Sequence, residues 1–311
     1  MLTVQGDAAV PSEAKGAVLA LGNFDGVHRG HQALIAKVLE IARATGRPAG
    51  VLVFDPHPHA FFKPERPHFE LTPIARKLAL FEEAGLDVAV VLPFNAALAS
   101  LEAERFISDI LVGALAVSHL VVGYHFCFGH NRTGSVETLR AAGAARGFGV
   151  TVVSPVAEGD EPYSSTGVRR RLAEGDVRAA AAMLGRPWSV TGRVVGGAKR
   201  GVGLGFPTAN VALPKGTALG HGIFAVRVRL EGKAETLNGA AYFGTRPTFD
   251  DGQPVLEVFL FDFDADIYGR EIEVAFIDKV RGDQKFDTAD ALAAQMRADC
   301  EKARALLAAG A

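Results

Sequence analysis

The sequence predicts an α/β protein of two domains, in which a parallel sheet with flanking helices precedes an antiparallel sheet or small barrel. In the first half, short apolar runs alternate with helical patterns, and the runs do not alternate in polarity, as in strands buried on both faces. In the second half, apolar and charged residues alternate along the runs, as in half-exposed antiparallel strands. A length of 311 residues accommodates two domains comfortably.

The first domain is expected over residues 1–185. Its alternation of strands and helices implies right-handed crossovers, and ligands in such sheets bind outside the carboxyl ends of the strands. The apolar runs predict strands at 17–22, 50–54, 88–92, 119–123 and 149–154, with helices at about 31–45, 73–84, 101–114 and 134–146.

The second domain is expected over residues 186–311. Turns that contain glycine or proline separate its strands, and a single helix closes the chain at about 288–308, with Asp287 or Thr288 as its N-cap. The alternating runs predict strands at 189–195, 222–230, 236–242, 255–263 and 271–278.

Composition narrows the functional classes. Hydrophobic residues make up 49% and charged residues 22%, as in soluble globular proteins, and the net charge of −2 argues against nucleic acid as a partner. Cys127 and Cys300 form no paired framework, which favours a reducing, cytoplasmic setting. Since no apolar run approaches the ~18 residues that span a bilayer, we expect no membrane association.

The segment Gly22-Asn23-Phe24-Asp25-Gly26-Val27-His28-Arg29-Gly30-His31 follows an apolar run and precedes a helical pattern. Its glycines allow close backbone approach to phosphates, and the helix start offers N–H groups and a positive dipole end. His28 and His31 are three residues apart, so on a first helical turn both would donate hydrogen bonds to phosphate oxygens. This arrangement suits a nucleoside triphosphate, and a zinc site or a structural histidine pair is the weaker interpretation.

Two further polar loops follow predicted strands and should converge on the same crevice. They are Asp55-Pro56-His57-Pro58-His59 after strand 50–54 and Gly123-Tyr124-His125-Phe126 after strand 119–123. Ser164, Ser165 and Thr166, followed by Arg169, stand at a helix start and make either an anion site or an ordinary N-cap with a basic face.

Two features of the second half carry candidate chemistry. Gly197 lies in a glycine-rich connection, and Thr208 and Asn210 of the segment 205–210 point the same way if it is extended. Their neutral oxygens suit Mg²⁺ that phosphates already hold, although a proline-containing turn capped by Asn explains the spacing more simply. Glu257, within an apolar strand, is either a solvated residue or a general base at the edge of a pocket.

Taken in order, these segments resemble the bacterial family in which riboflavin kinase is joined to FMN adenylyltransferase, often called FAD synthetase. The resemblance covers about residues 16–306, and its most specific part is GFPTAN (205–210) with GTRPTF (244–249) and the strand LEVFLFDF (256–263). Further matching segments are GNFDGVHRGH (22–31), FDPHP (54–58), VVGYHFCFG (121–129), SSTGVRRRL (164–172) and VRGDQKF (280–286).

The resemblance implies a Rossmann-like nucleotidyltransferase domain, a riboflavin-kinase-like β-barrel with a closing helix, and two reactions. The second domain would phosphorylate riboflavin to FMN with ATP and Mg²⁺, and the first would adenylylate FMN to FAD with a second ATP. The expected ATP-binding residues of the adenylyltransferase are Gly22, Asn23, Phe24, Asp25, Gly26, His28, His31, Gly123, Ser164, Ser165, Thr166 and Arg169, and its flavin-binding residues are Asp55, Pro56, His57, Pro58, His125 and Phe126. The expected kinase residues are Gly197, Gly205, Phe206, Pro207, Thr208, Asn210, Arg246, Arg281, Asp283 and Phe286, with Thr208 and Asn210 on the metal and Glu257 as base.

The chain departs from the family pattern at four positions. His125 and Cys127 stand where the family has Asp or Asn and often Arg, Asp283 replaces a Glu, and Val202 stands where a basic residue is common. One alternative is a single-activity nucleotidyltransferase for another phosphorylated small molecule, with the second half a flavin-binding module; another is a non-enzymatic flavin-binding protein. We expect a monomer or a weak homo-oligomer.

Overall fold

A computed structural model of the chain describes residues 1–6, 9–65, 68–159, 161–196, 206–214, 216–245 and 254–309. The chain divides into two units, Met1–Ser165 and Thr166–Ala311.

The first unit contains a six-stranded parallel sheet, which confirms the predicted fold class. The strands are β1 (Leu2–Gln5), β2 (Val18–Leu21), β3 (Ala49–Asp55), β4 (Val88–Pro93), β5 (His119–Gly123) and β6 (Gly149–Val153), in the order β1-β4-β3-β2-β5-β6. The chain proceeds from β2 toward one edge and returns to β5 on the other side of β2. The carboxyl ends of β2 and β5 therefore form a topological switch point, where such sheets open a crevice for ligands. A small antiparallel pair, β7 (Ala157–Glu158) and β8 (Glu161–Pro162), follows.

The helices of this unit lie between the strands. They are α1 (Arg29–Thr45), α2 (Pro58–Phe62), α3 (Ile74–Glu83), α4 (Ala96–Ala99), α5 (Ala103–Arg105), a π-helical segment (Phe106–Ala114) and α6 (Val136–Arg146), with 3₁₀ turns at Ser12–Ala14 and His130–Arg132. Two more helices, α7 (Ser165–Glu174) and α8 (Val177–Leu184), lead into the second unit. The segment 101–114 was expected as one α-helix, and most of it is π-helix instead.

Both faces of the sheet are buried, which explains the non-alternating strand sequences. Leu19 and Leu21 pack into the hydrophobic core on one face, whereas Val18 and Ala20 pack into the core on the other. The sequence missed β1 because this strand is short and only Val4 in it is buried.

The second unit is a closed antiparallel barrel, whereas the sequence had left open an antiparallel sheet or a small barrel. Its strands are β9 (Trp188–Val195), β10 (Ala209–Val211), β11 (Gly222–Leu230), β12 (Thr236–Thr245), β13 (Pro254–Leu260) and β14 (Glu271–Arg281), closed in the order β10-β13-β12-β11-β14-β9. β10 was not predicted, because three residues behind a proline give no strand pattern.

A helix, α9 (Ala289–Ala309), covers one side of the barrel as predicted. Of its two candidate caps, Thr288 accepts a hydrogen bond from the Ala291 N–H at 3.1 Å. Ala303 and Leu307 pack against Ala225 and other residues on the outside of the barrel strands. Among the described residues, no helix is both long enough and apolar enough to cross a membrane.

Candidate functional sites

The turn between β2 and α1 has a strained backbone. Phe24 and Val27 have φ values of +50° and +43°, and Gly26 has a φ of +87°. Glycine adopts this region freely, but a β-branched residue such as Val27 does so only when its surroundings impose it. Strain of this kind collects at functional sites. The first N–H groups of an α-helix have no carbonyl acceptor in a preceding turn, so the start of α1 is suited to an anionic ligand.

His28 and His31 stack their imidazole rings at this turn, with centroids 3.7 Å apart. The sequence placed both on the first helical turn, which is wrong for His28: α1 begins at Arg29, and His28 is the extended N-cap residue before it. Gly30 leaves room for this pair, since a Cβ there would lie 3.0 Å from two atoms of the His28 ring.

His31 is held in its neutral form. Burial lowers the pKa of His31 well below its ordinary value, and the nearby His28 and Lys77 lower it further. Its Nδ1 atom is buried and makes no hydrogen bond to any residue that the structure describes. A neutral imidazole has one N–H to donate and one lone pair, which suits contact with a phosphate oxygen.

Hydrogen bonds to the side chain and the backbone of Asp25 hold this turn in place. Asp25 is buried, and its Oδ1 accepts the Thr72 N–H at 3.1 Å. The hydroxyl of Ser165, next to Ser164, donates to the backbone carbonyl of Asp25 at 2.8 Å. Phe24, expected to contact ATP, is a fully buried core residue. The remaining residues of the Ser/Thr segment, Thr166 and Arg169, belong to α7 in the second unit.

A cavity of about 1030 Å³ opens at the carboxyl ends of β2 to β5. It brings together six of the residues expected from sequence, namely Gly22, Asn23, His57, Pro58, His125 and Phe126. Asp55, Pro56 and Gly123 lie at strand ends nearby but do not line it.

Aromatic rings that the sequence did not reveal form one wall of this cavity. The Phe94 ring packs edge-on against Phe54, Phe61 and Phe62, with centroids 5.5 to 5.8 Å apart. Phe62 is 62% exposed, so the cluster presents an open apolar surface. These rings come from β3, α2 and the segment after β4, and no local motif joins those elements.

The cavity is suited to an anion with an aromatic part. None of the described residues that line the cavity is acidic. Lys63, Arg132 and four histidines are among the residues that line it. An anionic phosphate is therefore favoured there, beside a surface on which a flat ring can pack.

A second cavity, of about 670 Å³, lies between the outer surface of the barrel and α9. Glu257 on β13 lines it and is half-buried. The neighbouring Leu256 and Val258 are buried on the opposite face of the strand. The alternation along β13 therefore directs the carboxylate into a cavity rather than into bulk solvent.

Thr208 and Asn210 gather beside this carboxylate. The Thr208 hydroxyl lies 3.4 Å from Glu257 Oε2, and Asn210 is the cross-strand partner of Glu257 in the pairing of β10 with β13. Directly paired residues share a face of the sheet, so the side chain of Asn210 is on the same face as the Glu257 carboxylate. Oxygen donors of this kind fit Mg²⁺ that substrate phosphates also bind. No group of three or more His, Cys, Asp or Glu among the described residues makes a metal site without a substrate.

A buried ion pair organises the far side of the cavity. Asp299 on α9 is 5% exposed and accepts hydrogen bonds from Nε and Nη2 of Arg281 at 2.8 to 3.0 Å, and another from Gln295. The Arg281 guanidinium also lies over the ring of Phe286, 5.6 Å from its centroid. Burial raises the pKa of the Cys300 thiol to about 11, so the thiol stays protonated in this cavity.

The other expected kinase residues are distributed as follows. Phe206 and Asp283 line the cavity, and Asp283 pairs with His221 at 3.6 Å. Pro207 is exposed and, like Asn210, does not line the cavity. Gly197, Gly205 and Arg246 lie outside the described residues. Sequence reasoning missed Asp299 and Gln295 because residues of a closing helix carry no motif.

Both halves of the chain match families of known proteins. The family model described as FAD synthetase matches residues 10–167, and the one described as riboflavin kinase matches residues 184–307. A curated bifunctional riboflavin kinase/FMN adenylyltransferase of Pseudomonas fluorescens is 41% identical over 99% of this chain and 98% of its own. One with the same description from Escherichia coli K12 is 41% identical over 92% of this chain and 91% of its own. A crystal structure from Streptococcus pneumoniae, described as a macrolide-efflux protein, is 30% identical, with a TM-score of 0.87 and coverage of 98% of this chain and 99% of its own.

Proposed function

The chain belongs to the bifunctional riboflavin kinase/FMN adenylyltransferase family, whose two reactions make FMN from riboflavin and FAD from FMN, and we propose that each of its two cavities is the active site of one reaction. The proposal rests on one observation: each of the two segments that match a family model contains one of the two cavities. The match described as FAD synthetase contains the 1030 Å³ cavity beside the histidine turn, and the match described as riboflavin kinase contains the 670 Å³ cavity with Glu257.

In the first cavity, ATP binds with its phosphates at the turn between β2 and α1. His28, His31 and the N–H groups of α1 hold the triphosphate, and the ring of FMN packs on the Phe54 and Phe94 cluster. A phosphate oxygen of FMN attacks the α-phosphorus of ATP. The bond from that phosphorus to the bridging oxygen breaks, and pyrophosphate leaves with the electron pair. Hydrogen-bond donors that are fixed in place stabilise the charge that develops.

In the second cavity, riboflavin places its 5′-hydroxyl near Glu257. The hydroxyl oxygen attacks the γ-phosphorus of ATP, the bond to the β–γ bridging oxygen breaks, ADP leaves, and Glu257 takes the hydroxyl proton. Thr208 and Asn210 would hold Mg²⁺ together with the phosphates of ATP. When bound, this ion neutralises phosphate charge, and the protein's own contribution is positioning and one base.

The adenylyltransferase comprises residues 1–185 and the kinase residues 186–311 in this proposal. The start of the riboflavin kinase match at residue 184 supports this boundary, whereas the two compact units divide earlier, between Ser165 and Thr166. Cys127 and Cys300 are free thiols, which supports a cytoplasmic enzyme, and the small net charge supports small-molecule partners rather than nucleic acid. We expect a monomer or a weak homo-oligomer.

ATP that is labelled at one chosen phosphate tests which group of ATP each reaction transfers. ATP that is radiolabelled at the γ-phosphate should label FMN during incubation with riboflavin and Mg²⁺. ATP labelled at the α-phosphate should label FAD, but not FMN. Labelling of FMN from the α-position, or absence of label from FAD, would contradict the proposed pair of reactions.

A further inference from the structure

Asp299 in α9 is a buried carboxylate that has no role in the reaction proposed for the second cavity. It is 5% exposed, and both of its oxygens accept hydrogen bonds from one edge of the Arg281 guanidinium, at 2.8 to 3.0 Å. Gln295, one helical turn earlier, donates a further hydrogen bond to Oδ1 at 2.9 Å. A charge at this depth is tolerated only with such partners, and here they come from two elements, β14 and α9.

The ion pair joins the end of a barrel strand to the closing helix at the second cavity. Arg281 is the last residue of β14, Asp299 lies in α9, and both line the 670 Å³ cavity. A planar guanidinium that is bound to a carboxylate along one edge keeps a single orientation. Asp299 therefore fixes the plane of the Arg281 side chain.

The fixed guanidinium in turn holds the segment 282–286, which contains no helix or strand. Nη1 of Arg281 donates to the Gly282 carbonyl at 2.9 Å, and the guanidinium lies over the Phe286 ring, 5.6 Å from its centroid. Four of the five residues of this segment line the cavity. An irregular segment has no sheet or helix hydrogen bonds to place it, so these side-chain contacts decide where this wall of the cavity lies.

The charges on this side of the cavity suit an uncharged ring better than a phosphate. The Asp299 carboxylate offsets the positive charge of Arg281 at 2.8 Å, so the pair offers a flat surface without net charge. The other charged residues of the segment, Asp283 and Lys285, have opposite signs. Met296 of α9 adds an apolar side chain to the same cavity.

We propose that Asp299 is a positioning residue for riboflavin phosphorylation: it fixes Arg281 and, through Arg281, holds the segment 282–286 in the shape that receives the flavin ring. The proposal rests on the proposed function of the second cavity. The role is one of binding, because Asp299 exchanges no proton with the reacting hydroxyl and holds no phosphate. Loss of the pairing should therefore weaken the binding of riboflavin and leave the chemical step nearly unchanged.

The test is Asp299→Asn in the full chain, with Asp262→Asn as a matched control. Asparagine keeps the size of the side chain but has one acceptor oxygen instead of two and no charge. Asp262 also binds an arginine of α9, with hydrogen bonds of 2.7 and 2.9 Å from Arg304, whose guanidinium lies 4.3 Å from the centroid of the Phe261 ring. Neither residue of that pair lines the cavity, so the control weakens the attachment of the helix without changing the site.

We expect Asp299→Asn to raise the KM for riboflavin about tenfold, with kcat and the KM for ATP within about twofold of the wild type. Asp262→Asn should match the wild type, and FAD formation from added FMN should be unchanged in both variants. Rates are compared at a temperature at which circular dichroism shows each variant to be folded. A folded Asp299→Asn with the wild-type KM for riboflavin would overturn the proposal. So would an increase that Asp262→Asn shares, because attachment of the helix alone would then explain it.

A milder variant keeps the proposal testable if Asp299→Asn does not fold. Gln295→Met removes one hydrogen bond to Asp299 and leaves the ion pair in place, so it should raise the KM for riboflavin about threefold. A KM equal to that of the wild type would then overturn the proposal. A wild type that forms no FMN would contradict the proposed function instead. In that case the difference in Kd for riboflavin between the wild type and either variant, measured by the quenching of riboflavin fluorescence, would still decide the role of Asp299.

Discussion

Replacement of Glu257 by Gln should abolish most riboflavin phosphorylation while leaving the fold and the other activity intact. Glutamine keeps the shape of the side chain and an acceptor for Thr208, which lies 3.4 Å from Oε2, but it cannot take a proton. A positioned general base contributes ~10²–10⁴-fold, which corresponds to about 3–5 kcal/mol of transition-state stabilisation. Glu257 is half-buried and the barrel core lies on the opposite face, so the change in unfolding free energy should stay within about 0.5 kcal/mol.

The assay follows FMN formation from riboflavin, ATP and Mg²⁺ by chromatography. We expect kcat to fall and the KM values for riboflavin and ATP to change little, because binding does not require the proton transfer. Glu273→Gln is the matched control: Glu273 is also a half-buried barrel carboxylate, bound by the Ser189 hydroxyl at 2.7 Å, and it does not line the cavity. If Glu257→Gln phosphorylates riboflavin at close to the wild-type rate, Glu257 is not the base.

Further substitutions separate the two sites. His28→Ala or His31→Ala should lower FAD formation by ~10²–10³ while FMN accumulates, as chromatography of both products would show, and equal loss of both products in a folded variant would argue against separate sites. Asn210→Ala and Thr208→Ala should lose kinase activity but still make FAD from added FMN, and normal phosphorylation by either would count against the proposed metal ligands. His125→Asn should lower the rate of FAD formation from FMN, because His125 lines the first cavity, and a rate equal to that of the wild type would mean that His125 takes no part.

Much of the fold could be predicted because its signals are local. Strands buried on both faces are apolar at consecutive positions, as Val18 to Leu21 are, and half-exposed strands alternate, as β11 does. The elements that were missed lack such a signal. β10 has three residues, and the π-helical segment 106–114 has the apolar pattern of an ordinary helix, so only its hydrogen bonding distinguishes it.

The candidate sites could be predicted only where their residues form motifs. The histidine turn and Glu257 stand in compact segments, so the sequence offered them as candidates, but it could not decide which way Glu257 points. The aromatic wall around Phe94 and the Asp299 partner of Arg281 depend on contacts between separate segments of the chain. One sequence without its fold gives no signal for such contacts.

The central claim, that one chain holds two independent active sites, is tested most directly by mixing two inactivated variants. Alone with riboflavin, ATP and Mg²⁺, His31→Ala should stop at FMN, and Glu257→Gln should leave riboflavin almost unconverted. Together they should form FAD, because FMN that one variant releases is adenylylated by the other. Rapid formation of FAD by either variant alone, or failure of the mixture under conditions in which the wild type makes FAD, would contradict the claim.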